Sequence, residues 1–273
     1  MIKSLFFFLL ATFSVYADYP IYFLATHPRS TGTAFENIIR THGGIQVLHQ
    51  PFLDPYLQEN LPKNHPYRKA ISDSTYDEVV HQIFGLAKTA PVFFKDQAFM
   101  VLDYVKSHLK GLKNPQIHFA FLIRDPAKTI LSLYRKDPRF SPAEIGHEHL
   151  WELFNLIKEN TGKTPLVIDS DELLKDPMAN LDRLGKEWDI AFREQDLHWQ
   201  EGYTDDWLRV DKKWYDEVAA SDQLGSYRGE LPRLEDGIPE YTEVDNLHDR
   251  ARLQEIYRRQ NIFYLKLLEH VVR

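Results

Sequence analysis

The chain contains no cysteine. Disulfides, thiolate nucleophiles and thiolate-held metals are therefore excluded. It also lacks an excess of positive charge: 33 Lys and Arg stand against 40 Asp and Glu, for a net charge of −7. A protein that coats nucleic acid or an anionic membrane would need the opposite balance, so any anion site must be a local basic pocket. No repeat, low-complexity tract or dividing linker interrupts the 273 residues. No H-E-x-x-H pair occurs; in "GHEHL" (146–150) His147 and His149 are two apart and would not share a helix face, so no metal site is expected.

What is present first is an apolar N-terminal run. "MIKSLFFFLLATFSVYADYP" places one lysine before Leu5–Val15 and small residues before Ala17. This predicts a secretory signal peptide over 1–17, too short for a span of about 20 residues, and hence a secreted or periplasmic protein without an integral membrane span. A cytoplasmic protein with that run buried as its first segment is the alternative. The remainder, 18–273, reads as one domain.

From residue 20 onward, strand-like and helix-like patterns alternate. Strands are expected at 21–25, 45–49, 91–95, 117–123 and 165–169. Helical stripes lie at 76–88, 149–160, 176–188 (with Asp176 as N-cap and Pro177 at the first position) and along the C-terminal stretch from Asn246. The alternation predicts an α/β fold: one domain with a mostly parallel sheet of about five strands flanked by helices. The turn-rich 226–243 stretch reads as a long functional loop.

Two strand ends carry unusual chemistry. In "ATHPRSTGTAFENII" (25–39) the first strand runs into a helix through Arg29, Ser30, Thr31, Gly32 and Thr33. A helix N-terminus with free N–H groups, a planar guanidinium, hydroxyls and a glycine allowing close approach suits a multiply charged tetrahedral anion. A helix simply capped by Ser30 or Thr31 is the plain alternative. The turn has neither the first glycine nor the lysine of G-x-x-x-x-G-K-S/T, which disfavours a nucleoside-triphosphate kinase. In "FLIRDPAKTILSLYRKDP" (121–138) Arg124 ends another strand, Asp125 and Pro126 start a helix, and Ser132 and Arg135 follow one turn apart. A ligand with a phosphate group at each end would fit both sites.

The pair "PRSTGTAF" and "RDPAKTILSLYR" resembles the sulfotransferases that use 3′-phosphoadenosine-5′-phosphosulfate (PAPS). "HQPF" (49–52), "FFKDQAF" (93–99), "LVIDSDELLKDPMANLDRLGKEWDIAF" (166–192) and a segment at 198–225 similar to the W-Y-x-x-V-x-x-S stretch of a bacterial branch extend the resemblance over about residues 20–225. It implies a P-loop NTPase-like sulfotransferase fold, PAPS as co-substrate and no metal. It also implies a small-molecule, glycan or lipid acceptor bearing a hydroxyl or amine. On the matching positions it implies 5′-phosphosulfate contacts from Arg29, Ser30, Thr31, Gly32 and Thr33. It likewise implies 3′-phosphate contacts from Arg124 and Ser132, with Arg135 as a further candidate. Arg29 and Lys95 are the cations expected on the transferring sulfate. The general base is left among His49, which precedes a proline at a strand end, Asp96 and Glu36. The K-D stretch here lacks the histidines that often follow it in the nearest branch. A non-catalytic protein binding 3′-phosphoadenosine-5′-phosphate (PAP) or a partner on the same fold is the alternative.

Overall fold

A computed structural model describes residues 17–209 and 211–271. The chain runs β1 (Ile21–Thr26), α1 (Gly32–His42), β2 (Gln46–His49), α2 (Leu53–Asn60), α3 (Tyr76–Leu86), β3 (Val92–Gln97) and α4 (Ala98–Ser107). There follow β4 (Ile117–Ile123), α5 (Pro126–Lys136), α6 (His147–Thr161), β5 (Leu166–Asp169), α7 (Ser170–Lys175), α8 (Pro177–Trp188), α9 (Asp216–Ala219) and α10 (Leu247–Leu268). All five strands pair in parallel, in the order β2-β3-β1-β4-β5. The five strands stand where the hydrophobic runs placed them, each within a residue or two of the expected ends.

Alternation of side chains along the central strand builds two cores. Ile21, Phe23 and Ala25 of β1 face one side, packing with Phe94, Phe121, Leu153 and Phe154. Tyr22 and Leu24 face the other, against Phe35, Ile38 and Ile39 of α1 and Leu181, Leu184 and Trp188 of α8. A strand buried on both faces explains why β1 reads as a continuous apolar run. A third cluster, under α5 and α10, takes in Ile238, Tyr241 and Val244, so the end of the 226–243 loop is packed rather than free. Asp125 and Asp176 cap α5 and α8, accepting from Ala127 N (2.8 Å) and Ala179 N (3.1 Å).

Gly185 in α8 fits only as glycine: an added Cβ would sit 2.2 Å from the Ile190 carbonyl oxygen. Because that oxygen is backbone, the chain after α8 would have to move. Gly185→Ala is expected to destabilise the protein by about 1–3 kcal/mol, as overpacking does, measured by chemical denaturation. An unchanged midpoint would show that the 189–192 turn yields freely.

Ala17, the last residue of the expected leader, is buried beside β1. The rest of that leader, 1–16, lies outside the described residues. Among those described, no helix is long and apolar enough to cross a membrane.

Candidate active site

The chain leaves β1 toward β2 and β3 on one side of the sheet, and later adds β4 and β5 on the other. The loops after β1 and β4 therefore diverge, opening a crevice at the carboxyl ends of adjacent strands. Both sequence-marked turns lie there, and Arg124 Nη1 donates to the Arg29 carbonyl (2.8 Å), tying one turn to the other.

The β1 turn is held in a strained form. Arg29 (φ 61°) and Thr31 (φ 72°) are both left-handed, a conformation that costs non-glycine residues energy and persists where neighbours enforce it. Ser30 Oγ donates to the His27 carbonyl (2.7 Å), and the Ser30 carbonyl accepts from Ser170 Oγ (2.5 Å). Thr31 occupies the N-cap of α1, yet no side chain caps this helix. The simple capped-helix alternative is thus not what the turn does. The first N–H groups of α1 keep their positive end for something else. A Cβ on Gly32 would lie 3.2 Å from Thr26 Cγ2 and 3.4 Å from Lys95 Cδ, so the lysine stem from β3 packs against the turn. Thr31 and Thr33 are partly exposed at its mouth.

Beside the turn is a basic cluster. Arg29 Nε donates to Ser132 Oγ (2.9 Å), Nη1 to the Trp214 carbonyl (3.1 Å) and Nη2 to Glu217. Its guanidinium is thus committed to α5 and to the 212–217 segment. Arg124 is largely buried and its Nε has no partner among the described residues. Arg135 lies outside this cluster, half-exposed and paired with Glu243. Two histidines brace the cluster from behind, their rings 4.1 Å apart. His27 Nε2 accepts from Arg124 N (3.0 Å), leaving its Nδ1–H for the Pro28 carbonyl, and His147 Nε2 donates to the Arg124 carbonyl (2.8 Å). Burial keeps both neutral, His147 with its pKa pushed down to about 4. No grouping of three or more possible metal ligands occurs among the described residues.

On the other side, toward β2, Glu36 is the centre of a buried network. One oxygen accepts from Arg40 (2.7 Å) and from Trp207 Nε1 (3.1 Å). The other meets His49 Nδ1 (2.7 Å) and lies 3.6 Å from Lys95 Nζ. Burial alone would raise the Glu36 pKa; His49, Lys95 and Arg40 outweigh it and hold the carboxyl far below the ordinary range. Glu36 is consequently a poor proton acceptor and a strong orienting partner. It takes the Nδ1–H of His49 and fixes the tautomer whose Nε2 lone pair is free for another group. That lone pair meets the Tyr215 hydroxyl at 2.9 Å. Burial lowers the His49 pKa against the pull of Glu36.

Asp96 behaves oppositely. Burial raises its pKa to about 8, against the Phe52 N–H donated to Oδ2 (3.2 Å) and the charge of Lys95. Its Oδ1 has no partner among the described residues. Burial thus makes the Asp96 carboxyl hold its proton more tightly than an ordinary carboxylic acid, and of the three candidates His49 is the one whose ring nitrogen meets a hydroxyl, that of Tyr215.

Residues 205–209 and 211–219 cover this network. Trp207 reaches Glu36, Asp206 pairs with Arg40 (2.5 Å), Arg209 with Asp54 (2.9 Å), Tyr215 with His49, and Glu217 with Arg29. Sequence reasoning set this stretch aside as a branch-like motif and gave its residues no roles. The W-Y-x-x-V-x-x-S pattern, which contains Tyr215, was the available signal.

Fold and site together define a parallel α/β protein with a cluster of cationic side chains at the switch point of its sheet and a buried ionic network beside it. A family model described as the sulfotransferase domain matches residues 23–239, and the chain belongs to that family. It is 28% identical over 183 residues, 64% of its length, to branched-chain-amino-acid aminotransferase-like protein 2 of Arabidopsis thaliana, and it spans 31% of that relative's length. Among solved structures it is similar to the sulfotransferase domain of the Synechococcus PCC 7002 olefin synthase. The identity is 15% and the TM-score 0.48, covering 88% of this chain and 94% of that one. A mouse sulfotransferase solved with PAP shows 12% identity and a TM-score of 0.44 over 92% and 89% of the two chains.

Proposed function

We propose that this chain transfers a sulfuryl group from PAPS to a hydroxyl acceptor on a small molecule, glycan or lipid. The observation that carries it is the pair of cationic turns at the ends of β1 and β4, joined by the bond from Arg124 to Arg29. They offer two anion sites to one ligand, as a donor phosphorylated at both the 3′ and 5′ positions requires. Thr31, Gly32, Thr33 and Lys95 surround the 5′ end. Arg124 and Ser132 surround the 3′ end; Arg29, which the resemblance put on the 5′-phosphosulfate and the transferring sulfate, turns its guanidinium to Ser132 and is assigned here to the 3′ side instead, while Arg135 is available only if it leaves Glu243.

Sulfuryl transfer needs in-line placement and cations on the moving oxygens more than covalent help. The acceptor oxygen forms a bond to sulfur as the bond from sulfur to the 5′-phosphate oxygen breaks, and PAP leaves. The acceptor proton passes to His49 Nε2, the position now met by the Tyr215 hydroxyl, while Glu36 balances the imidazolium. Lys95 and the α1 N-terminus offset charge on the sulfate and the leaving phosphate.

The test is transfer of labelled sulfate from PAPS across a panel of sugar, lipid and phenol hydroxyls. Labelled product from at least one class is expected, and none from any would contradict the reading. Arg124→Ala is expected to weaken PAP by about one to two decades, the worth of a charged hydrogen bond of roughly 1.5–3 kcal/mol. Adenosine 5′-monophosphate, lacking the 3′-phosphate, should be little affected. Equal losses for both nucleotides in titration calorimetry would make Arg124 purely structural.

A further inference from the structure

The segment from Asp205 to Ala219 places a carboxylate where the nucleotide reading above, on which this inference rests, needs an anion. Glu217 bridges two cations from separate elements: Oε2 accepts from Arg29 Nη2, and Oε1 lies 3.5 Å from Lys136 Nζ at the end of α5. The two cations are mostly buried, at 13% and 18% side-chain exposure, whereas Glu217 is 55% exposed. Ser132, bonded to Arg29, completes the pocket. One carboxylate with an oxygen on each of two cations has the contact pattern of a phosphate group. Burial would raise the Glu217 pKa, but Arg29 and Lys136 outweigh it and keep the group ionised.

We propose that Glu217 is an internal stand-in for the nucleotide's 3′-phosphate. It latches the 205–219 segment shut as a strap, and the incoming phosphate opens the strap by displacing Glu217 from Arg29 and Lys136. The same segment carries Tyr215, which fills the lone pair of His49 two residues away from the latch. Release at Glu217 therefore frees the cation pair and loosens the piece of chain that holds Tyr215 on the base. Nucleotide binding and access to the base become linked through one short piece of chain. Lys136, to which the sequence pattern gave no role, becomes a contact of the nucleotide site.

The strap anchors differ in how easily they let go. Trp207 is fully buried and Tyr215 nearly so, whereas Glu217 sits at the rim. A phosphate dianion offers more charge than a carboxylate to the same two cations, so exchange at the rim is the step that costs least.

The experiment uses the full chain and Glu217→Gln, with thermal melting to show that the variant folds like the wild type. Two quantities are read: amide hydrogen exchange across 205–219 without ligand, and PAP affinity by calorimetry. A latch whose closed form competes with the ligand reduces apparent affinity by the closed fraction. The variant is expected to exchange faster over 205–219 and to bind PAP about two- to fivefold more tightly, within the range of half-exposed ion pairs. Wild-type protein saturated with PAP should show the same faster exchange. Unchanged exchange and affinity in Glu217→Gln, with PAP still bound by both proteins, would overturn the strap and leave the nucleotide reading intact. No PAP binding by either protein at about 1 mM would overturn the nucleotide reading and the proposed trigger together.

Discussion

Glu36→Ala is expected to cost about 3–5 kcal/mol of stability, the usual loss when one member of a buried charged cluster is removed and its partners remain. Glu36 has no exposed side-chain surface and is contacted by His49, Lys95, Arg40 and Trp207. Without it Lys95 and the Trp207 indole N–H lose their acceptor in the interior, and Arg40 keeps only Asp206. Chemical denaturation measures the loss, and a change below about 1 kcal/mol, ordinary for a surface site, would mean that the network is held by something else. The pH dependence adds a sign. The folded-state pKa of Glu36 lies below its unfolded value, so its contribution is present above the ordinary carboxylate pKa and fades as pH falls through the folded one. Asp96 acts the other way. Its folded pKa of about 8 exceeds the unfolded value, so the folded state holds the extra proton and stability falls as pH rises between about 4 and 8. Glu36→Gln should therefore flatten the acid limb of the stability profile, and Asp96→Asn should flatten the limb above it.

The largest kinetic effect expected from the proposed function is at His49. Removal of a general base typically slows a reaction by 10²- to 10⁴-fold. His49→Ala is expected to lose on the order of 10²-fold or more in turnover while PAP affinity does not fall, because the ring bonds to Glu36 and Tyr215 and not to Arg29, Arg124 or Ser132. Turnover with labelled PAPS and calorimetry on the same sample check both halves. Burial lowers the His49 pKa, so the acid limb of the wild-type pH–rate profile should lie below the ordinary histidine value of about 6.5. Full turnover in His49→Ala would remove the base from this site.

Much of this was legible in the sequence because it rests on local chemistry. The apolar runs gave the five parallel strands, and Asp125-Pro126 and Asp176-Pro177 marked two helix starts that the structure places at those positions. The two basic turns were visible because arginines and hydroxyls cluster at strand ends. What could not be read depends on distance along the chain. Tyr215 and Trp207 meet His49 and Glu36 across 166 and 171 residues, and no local pattern encodes that meeting. The choice among Glu36, His49 and Asp96 turns on burial and on which neighbours share it. A carboxylate in a sequence does not reveal that one neighbour set keeps it ionised and another keeps it protonated. The uncapped start of α1 was hidden for a related reason: serine and threonine at a helix start ordinarily cap it, and only the left-handed backbone at Arg29 and Thr31 shows that here they do not.

The central claim is that two anion sites at adjacent strand ends hold one doubly phosphorylated nucleotide. The direct measurement is titration of the full chain with PAP and, separately, with adenosine 5′-monophosphate. PAP is expected to bind in the micromolar range or tighter, with the monophosphate weaker by at least about tenfold because the Arg124 side of the cradle stays empty. Failure to bind PAP at about 1 mM, or equal affinity for the two nucleotides, would contradict it.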